Sequence, residues 1–315
     1  AVIQPDTFKN CRQRKIRLLR FQYKHFNDSI TLKEEHLSLF EPLKEHLEEL
    51  NLTCELNCQF NFLEHLTNLK KLTLKVESYY FKIKPVFKMT NNQLILLNLT
   101  SNLRYSFLKI SDEKMFNDLK CLKQLYLSEV ELMDNVLPDL FSELKQLDTL
   151  KLIRTRLWPA EDAFIHLENL RELHFVGIEI PKECSNIFAP LKILEKLEMG
   201  KTDIFNYDAF GKLKNLRELK LFHFATIEID KNFFDQHLNL ESLDLSDLNA
   251  FDRKNRYRID LKALANLKQL KSLNLFNNNL NLDQDGEMIF RLKNLESLDL
   301  SLSNRNMLLG RVIKL

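Results

Sequence analysis

The sequence predicts an α/β solenoid: about twelve stacked repeats forming a horseshoe, with a parallel β-sheet on its concave face and short helical or irregular segments on the convex side. Three observations predict it. Leucine supplies 64 of the 315 residues, about a fifth, far above the composition of an ordinary globular domain. The hexapeptide apolar-x-x-apolar-x-apolar recurs from Ile16 to Leu300. Its copies lie about 25 residues apart, the period of architectures in which each repeat buries its apolar side only against its neighbours.

The copies run, in order, Ile16-Leu19-Phe21, Leu47-Leu50-Leu52, Leu69-Leu72-Leu74, Leu94-Leu97-Leu99, Leu122-Leu125-Leu127 and Leu147-Leu150-Leu152. They continue with Leu170-Leu173-Phe175, Leu194-Leu197-Met199, Leu216-Leu219-Leu221, Leu240-Leu243-Leu245, Leu270-Leu273-Leu275 and Leu295-Leu298-Leu300. Counting the first apolar residue as position 1, positions 1, 4 and 6 face inward and those between them face outward, as alternation along a strand requires. An apolar residue five places on, such as Leu132, Leu157, Ile180, Ile204 or Leu280, begins the return. The return segments end in Phe116-x-x-Leu119, Phe164-x-x-Leu167, Phe210-x-x-Leu213 and Phe290-x-Leu292, so the phenylalanines are expected to fill the convex spine. Residues 1–315 are expected to form one such solenoid.

Composition excludes several function classes. Lys+Arg 46 against Asp+Glu 44 leaves a net charge of +2, so no global field draws nucleic acid or an anionic membrane. No apolar run approaches the length that spans a bilayer. The 5 glycines are scattered, whereas phosphate cradles need them closely spaced. Nucleophile elbows, HExxH helices and phosphate loops are absent, so neither an enzyme nor a cofactor is expected.

The segments "NFFDQHLNLESLDLSDLN" (232–249) and "MIFRLKNLESLDLSLSN" (288–304) resemble the leucine-rich-repeat family, in the style of Toll and Toll-like receptor ectodomains, and the resemblance extends along essentially the whole chain. It implies a protein or microbial ligand, a co-receptor, pairing into a dimer, and innate or developmental signalling by a cell-surface glycoprotein. The sequence departs from the pattern in two ways. Position 9, usually Asn, is Asn only at Asn102 and Asn278; most repeats substitute another residue, such as Thr155, Thr202, Ser303, Val130, Ile178 or Phe224. The terminal cysteine-rich caps of extracellular members are missing, so the chain is expected to be a fragment of a longer protein.

The five cysteines are Cys11, Cys54, Cys58, Cys121 and Cys184, an odd number without terminal clusters and therefore not a disulfide framework. Cys54 and Cys58 are close enough in sequence for a local disulfide; a zinc half-site is the alternative, lacking a second ligand pair. Cys121 and Cys184 are expected to be free thiols. Sequons stand at Asn27, Asn51 and Asn98, candidate N-glycosylation sites. Repeat style points to an extracellular location, cysteine usage to a reducing, cytoplasmic one.

Function is therefore sought on the outward face. Tyr126, Lys151, Arg171, His174, Glu198, Arg217, Lys220, Phe222, His223 and Asp244 form the candidate protein-binding patch, because aromatic side chains beside charges are the composition of binding hot spots. The same pattern also fits a solvated strand face. Two irregular segments compete: residues 76–93, where Tyr79, Tyr80 and Phe81 lie among lysines, and "DRKNRYR" at 252–258. The expected function is a non-catalytic protein-recognition solenoid, the ligand-binding part of a Toll-like or related receptor. The alternative is an intracellular adaptor or effector scaffold.

Overall fold

A computed structural model describes residues 17–21, 43–54, 63, 65–76, 82–83, 93–101, 108–132, 139–157, 159, 161–180, 183–201, 207–224, 228–248, 259–278, 280, 286–303 and 312–314. The chain divides into two compact units, Ala1–Leu157 with Ile165–Asn169, and Trp158–Phe164 with Leu170–Leu315. Asn27, Cys11, Cys58, Asn102, Thr202 and the segment 252–258 lie outside the described residues.

The first unit contains β1 (Leu18–Phe21), β2 (Glu49–Cys54), β3 (Lys71–Val76), β4 (Lys82–Ile83), β5 (Leu96–Ser101), β6 (Leu108–Ile110), β7 (Gln124–Ser128), β8 (Val130–Leu132) and β9 (Thr149–Ile153). β1, β2, β3, β5, β7 and β9 pair side by side, all parallel. β4, β6 and β8 form a second, smaller parallel sheet. The second unit contains β10 (Glu172–Val176), β11 (Lys196–Gly200), β12 (Glu218–Phe222), β13 (Ser242–Asp244), β14 (Ser272–Asn274), β15 (Ser297–Asp299) and β16 (Val312–Lys314). β10 to β15 are parallel, and β16 pairs antiparallel with β15. Each of the twelve hexapeptides lies on a strand of a parallel sheet, and β16 is an addition that the repeat pattern does not announce.

Within each unit the register is in phase: Leu50, Leu72, Leu97, Leu125 and Leu150 pair in succession, as do Leu173, Leu197, Leu219, Leu243, Leu273 and Leu298. From Leu47 to Leu298 every position 1 and 4 is buried. A one-residue slip would turn these leucines to water, and each fully buried leucine contributes about 2 kcal/mol.

Position 8 is where the chain turns. β2, β3 and β5 run on through it as six-residue strands. From β7 onward it flips: the eight described residues with positive φ (Glu129, Arg154, Gly177, Lys201, His223, Asp247, Asn277 and Leu302) all stand at position 8. β13 to β15 shrink further, to three residues. The cause is the side chain at position 5: Asp244, Asn274 and Asp299 accept from the backbone N–H two residues on, at 2.9, 2.9 and 2.8 Å. These Asx turns end the strands.

Backbone satisfaction after the strand is shared between two devices. Where position 9 is polar, its side chain bridges repeats: Thr155 Oγ1 donates to Leu127 O at 3.2 Å, and Ser303 Oγ donates to Leu275 O. Asn278 donates to Leu245 O and Leu275 O at 2.7 and 3.0 Å and accepts from Leu248 N at 3.1 Å. At Val130, the start of β8, backbone pairing takes over, with Leu108 N donating to Glu129 O and Arg156 N to Val130 O. A further ladder precedes the strands. Asn68, Asn169, Asn215, Asn239 and Asn294, each just before position 1, donate to Glu45, Lys145, Lys192, Lys214 and Lys268 carbonyls of the preceding repeat.

The spine obeys one spacing. Phe116, Phe141, Phe164, Phe188, Phe210 and Phe234 stand six residues before position 1 and are fully buried. In the second unit Phe188 packs between Phe164 and Phe210, with ring centroids 6.3 and 6.0 Å away. Phe290 breaks the expectation. The residue six before Leu295 is Ile289, which is buried, so Phe290 falls one place off register and is 82% exposed.

Candidate functional site

The outward columns at positions 2, 3, 5 and 7 are set by regular backbone pairing. Within each unit, position-2 carbonyls accept from positions 2 and 3 of the next strand: Lys70 and Lys71 donate to Glu48, Lys123 and Gln124 to Ile95, Arg217 and Glu218 to Glu195, Lys271 and Ser272 to Glu241. Position-2 side chains of successive strands are therefore neighbours, and their charges alternate. In the first unit Arg17, Glu48 and Lys70 alternate, Ile95 interrupts, and Lys123 and Asp148 follow. Glu48 lies 3.9 Å from Arg17 and 3.7 Å from Lys70. In the second unit the order is Arg171, Glu195, Arg217, Glu241, Lys271, Glu296. Arg171 pairs with Glu195, and Glu241 with Arg217 at 2.8 Å and Lys271 at 2.7 Å. These contacts hold the Glu241 carboxyl below its ordinary pKa, chiefly through the Lys271 hydrogen bond, and raise that of Lys271. The edge carries a groove of about 460 Å³ lined by Arg171, Ile193, Glu195, Asn215, Arg217, Asn239, Glu241 and Gln269.

Positions 3 and 5 of β10, β11 and β12 form one ion-paired network. His174 contacts Glu172 through Nε2 and Glu198 through Nδ1, the latter at 2.7 Å. Glu198 also meets Lys220 at 3.4 Å, while Lys196 lies 3.8 Å from Glu172 and 3.1 Å from Glu218. The His174 hydrogen bond and, after it, the Lys220 charge overcome burial and lower the Glu198 pKa to about 2. Although its position faces outward, His174 is only 8% exposed, covered by the carboxylates on either side.

The other candidate residues are distributed as follows. Tyr126 and Lys151 are in the first unit, with Lys151 Nζ 5.0 Å from the ring centroid and the phenol donating to Gln124. Arg171 and Arg217 are exposed members of the charge column. Phe222 lies over Gly200 of the neighbouring strand, where a Cβ would run into its ring. Lys220 Nζ stands 4.9 Å from that ring and His223 packs edge-on at 5.7 Å. Gly200 thus makes room for an aromatic platform, a role invisible when the glycines are considered as phosphate ligands. Asp244 is held by its own Asx turn. Sequence reasoning missed Glu172, Lys196 and Glu218, which carry the network, although their common position 3 was there to be aligned.

Asn51 and Asn98 are half-buried on the sheet; Asn51 Nδ2 contacts Glu49 at 3.4 Å, and Asn98 Oδ1 accepts from the sequon hydroxyl of Thr100 at 3.1 Å. Cys121 and Cys184 are not disulfide-bonded, and Cys184 donates to Pro159 O at 3.0 Å. Burial, with Glu161 nearby, raises the Cys184 pKa. Among the described residues no group of three His, Cys, Asp or Glu is arranged to hold a metal, and no helix is long and apolar enough to cross a membrane.

No family model and no curated protein sequence matches the chain. Solved structures do. A chain of the mouse RP105/MD-1 complex superposes over 90% of this chain and 54% of its own, with 18% identity and a TM-score of 0.58. The chain has the leucine-rich-repeat fold. A chain of the Drosophila Toll–Spatzle complex matches this leucine-rich-repeat chain over 80% of its length, at 18% identity and a TM-score of 0.52. A chain of the TLR13–ssRNA13 complex matches over 86%, at 21% identity and 0.51. The leucine-rich repeats described here span 39% of that Toll-complex chain and 41% of the TLR13-complex chain.

Proposed function

We propose that the chain is a non-catalytic protein-recognition solenoid, serving as the ligand-binding part of a Toll-like or related receptor outside the cell or at its surface. The observation that carries this reading is the division of labour along each strand. From Leu47 to Leu298 positions 1 and 4 are spent inside, and the outward columns present mainly charged, polar and aromatic side chains on regularly paired strands. Arg171, Arg217, Lys220, Phe222 and His223 are the contact residues; His174 holds Glu198, which pairs with Lys220, and Asp244 lies beside Lys220 on the next strand. Tyr126 with Lys151 adds an aromatic contact in the first unit. A non-enzymatic role fits the same network, because both nitrogens of His174 are occupied by carboxylates and a general base needs a free one. Similarity to chains found in complexes with MD-1 and Spatzle supports a protein ligand.

A second reading, an adaptor in a reducing compartment, draws on Cys121 and Cys184, neither of which is disulfide-bonded. One experiment addresses both. The chain is produced through the secretory pathway, treated with glycosidase, and used for crosslinking capture beside a Lys220→Glu/Phe222→Ala variant. The receptor reading expects a mass shift from Asn51 or Asn98 and a partner lost from the variant at unchanged melting temperature. An unglycosylated, aggregating product that folds only under reducing conditions favours the adaptor. Capture unaffected by the double substitution removes the proposed contact residues.

A further inference from the structure

We propose that the sheet face around Ile95, in the first unit, binds an acidic protein segment that carries an aliphatic side chain. The inference rests on the reading that the outward face is a recognition surface, and adds a site and a partner chemistry to it. The position-2 column alternates in sign on both sides of Ile95, and the residue between Lys70 and Lys123 is where the alternation calls for an acid. An aliphatic side chain stands there instead, 37% exposed. Adjacent strands are about 4.8 Å apart, so both lysines flank it directly. Lys70 has Glu48 on its far side at 3.7 Å, while Lys123 and Lys71 are exposed and meet no carboxylate among the described residues. Across β3, β5, β7 and β9 the outward positions carry Lys70, Lys71, Lys75, Lys123 and Lys151 against Asp148 alone. The corresponding face of the second unit neutralises itself through its own ion pairs.

Charge complementarity thus calls for an anionic occupant, and the rest of the patch selects its class. A nucleic acid would look for stacking platforms and guanidinium forks. The face has no arginine on these four strands, and the ring of Tyr126 is already covered by Lys151 at 5.0 Å. Ile95, with half-buried Leu96 beside it, offers an aliphatic contact instead. An extended chain presenting a carboxylate on each side of a leucine-like residue supplies what the column lacks.

The test uses the full chain and fluorescence anisotropy with two labelled probes: a soluble peptide built from Glu-Leu-Glu units and a single-stranded oligonucleotide of equal charge. The decisive variant is Ile95→Glu, which completes the alternation and so leaves the fold intact, with a melting temperature at or above the parent. The peptide is expected to bind more tightly than the oligonucleotide, to weaken with salt, and to lose at least about tenfold in affinity in Ile95→Glu. Unchanged peptide affinity in Ile95→Glu, an oligonucleotide that binds as tightly as the peptide, or no binding of either probe at low salt overturns the inference. A captured partner that is lost with Lys220→Glu/Phe222→Ala and retained by Ile95→Glu overturns it too, while leaving the recognition reading intact.

Discussion

His237 Nε2 donates to the carbonyl oxygen of Phe210 at 3.0 Å, and Nδ1 meets no hydrogen-bond partner among the described residues. The ring is 1% exposed and stands three residues before position 1, where Leu119, Leu144, Leu167, Leu191, Leu213, Leu267 and Leu292 stand in other repeats. Burial outweighs the Phe210 carbonyl and pulls the pKa below 6.5. With a folded pKa below the unfolded one, the unfolded chain takes up the proton first, so stability falls as pH drops below about 6.5. His237→Leu restores the spine and removes the proton uptake. Urea denaturation is expected to show a gap between variant and parent that widens from pH 7.5 to pH 5; a pH-independent gap would sink this account.

Glu198 titrates in the opposite sense. Its pKa lies near 2 in the folded chain against 4.5 ordinarily, so its contribution is complete above about 4.5 and is lost as pH falls towards 2. That shift corresponds to roughly 3 kcal/mol, reduced to about 2 by the solvent reaching a carboxylate that is 23% exposed. Glu198→Gln should unfold more easily at pH 7 and show a flatter melting-temperature profile between pH 5 and pH 2. Matching profiles for parent and variant would contradict the assignment.

The ninth-position side chains are predicted to differ in weight. Asn278 donates to Leu245 O and Leu275 O and accepts from Leu248 N, whereas Thr155 bridges to Leu127 O. Asn278→Ala strands Leu245 O and Leu248 N, while Leu275 O keeps Ser303, and should cost about 3 kcal/mol; Thr155→Val should cost about 1 kcal/mol. Chemical denaturation of the two variants side by side reads the difference, and equal losses would refute the ranking.

Lys201 holds φ at 52° on an exposed turn. A non-glycine residue in that region gives up about 1–2 kcal/mol, of which glycine recovers part after its greater unfolded-state entropy is counted. Lys201→Gly is expected to stabilise the chain by about 0.5–1 kcal/mol, and Lys201→Ala not at all, in thermal melts. A glycine variant that melts lower than the alanine variant would disprove strain at this position.

Much of the scaffold was legible because burial is periodic: Leu50, Leu72 and Leu97 sit where alternation and repeat length both put them. The asparagine ladder was half legible. Its usual place at position 9 is mostly vacated, but Asn68, Asn169, Asn215, Asn239 and Asn294 share a position that aligned repeats display. Phe290 misled because a phenylalanine one place off register looks like its neighbours in a string and points elsewhere on the chain. The candidate patch was legible only as composition. That His174 would be enclosed by Glu172 and Glu198 depends on a residue 24 positions away, which local pattern does not weigh.

By itself, the sequence determined that the leucines of positions 1 and 4 are inside. The leucine period leaves the apolar side chains no other shared core, so strands, register and spine follow from the hydrophobic effect. Tertiary structure alone decided what the outward residues do, because their partners come from adjacent strands. Parallel stacking sets Glu241 between Arg217 and Lys271, folds Phe222 over Gly200, and leaves Ile95 between two lysines. Short-range electrostatics and contact act across the sheet, at right angles to the chain in which the sequence is written.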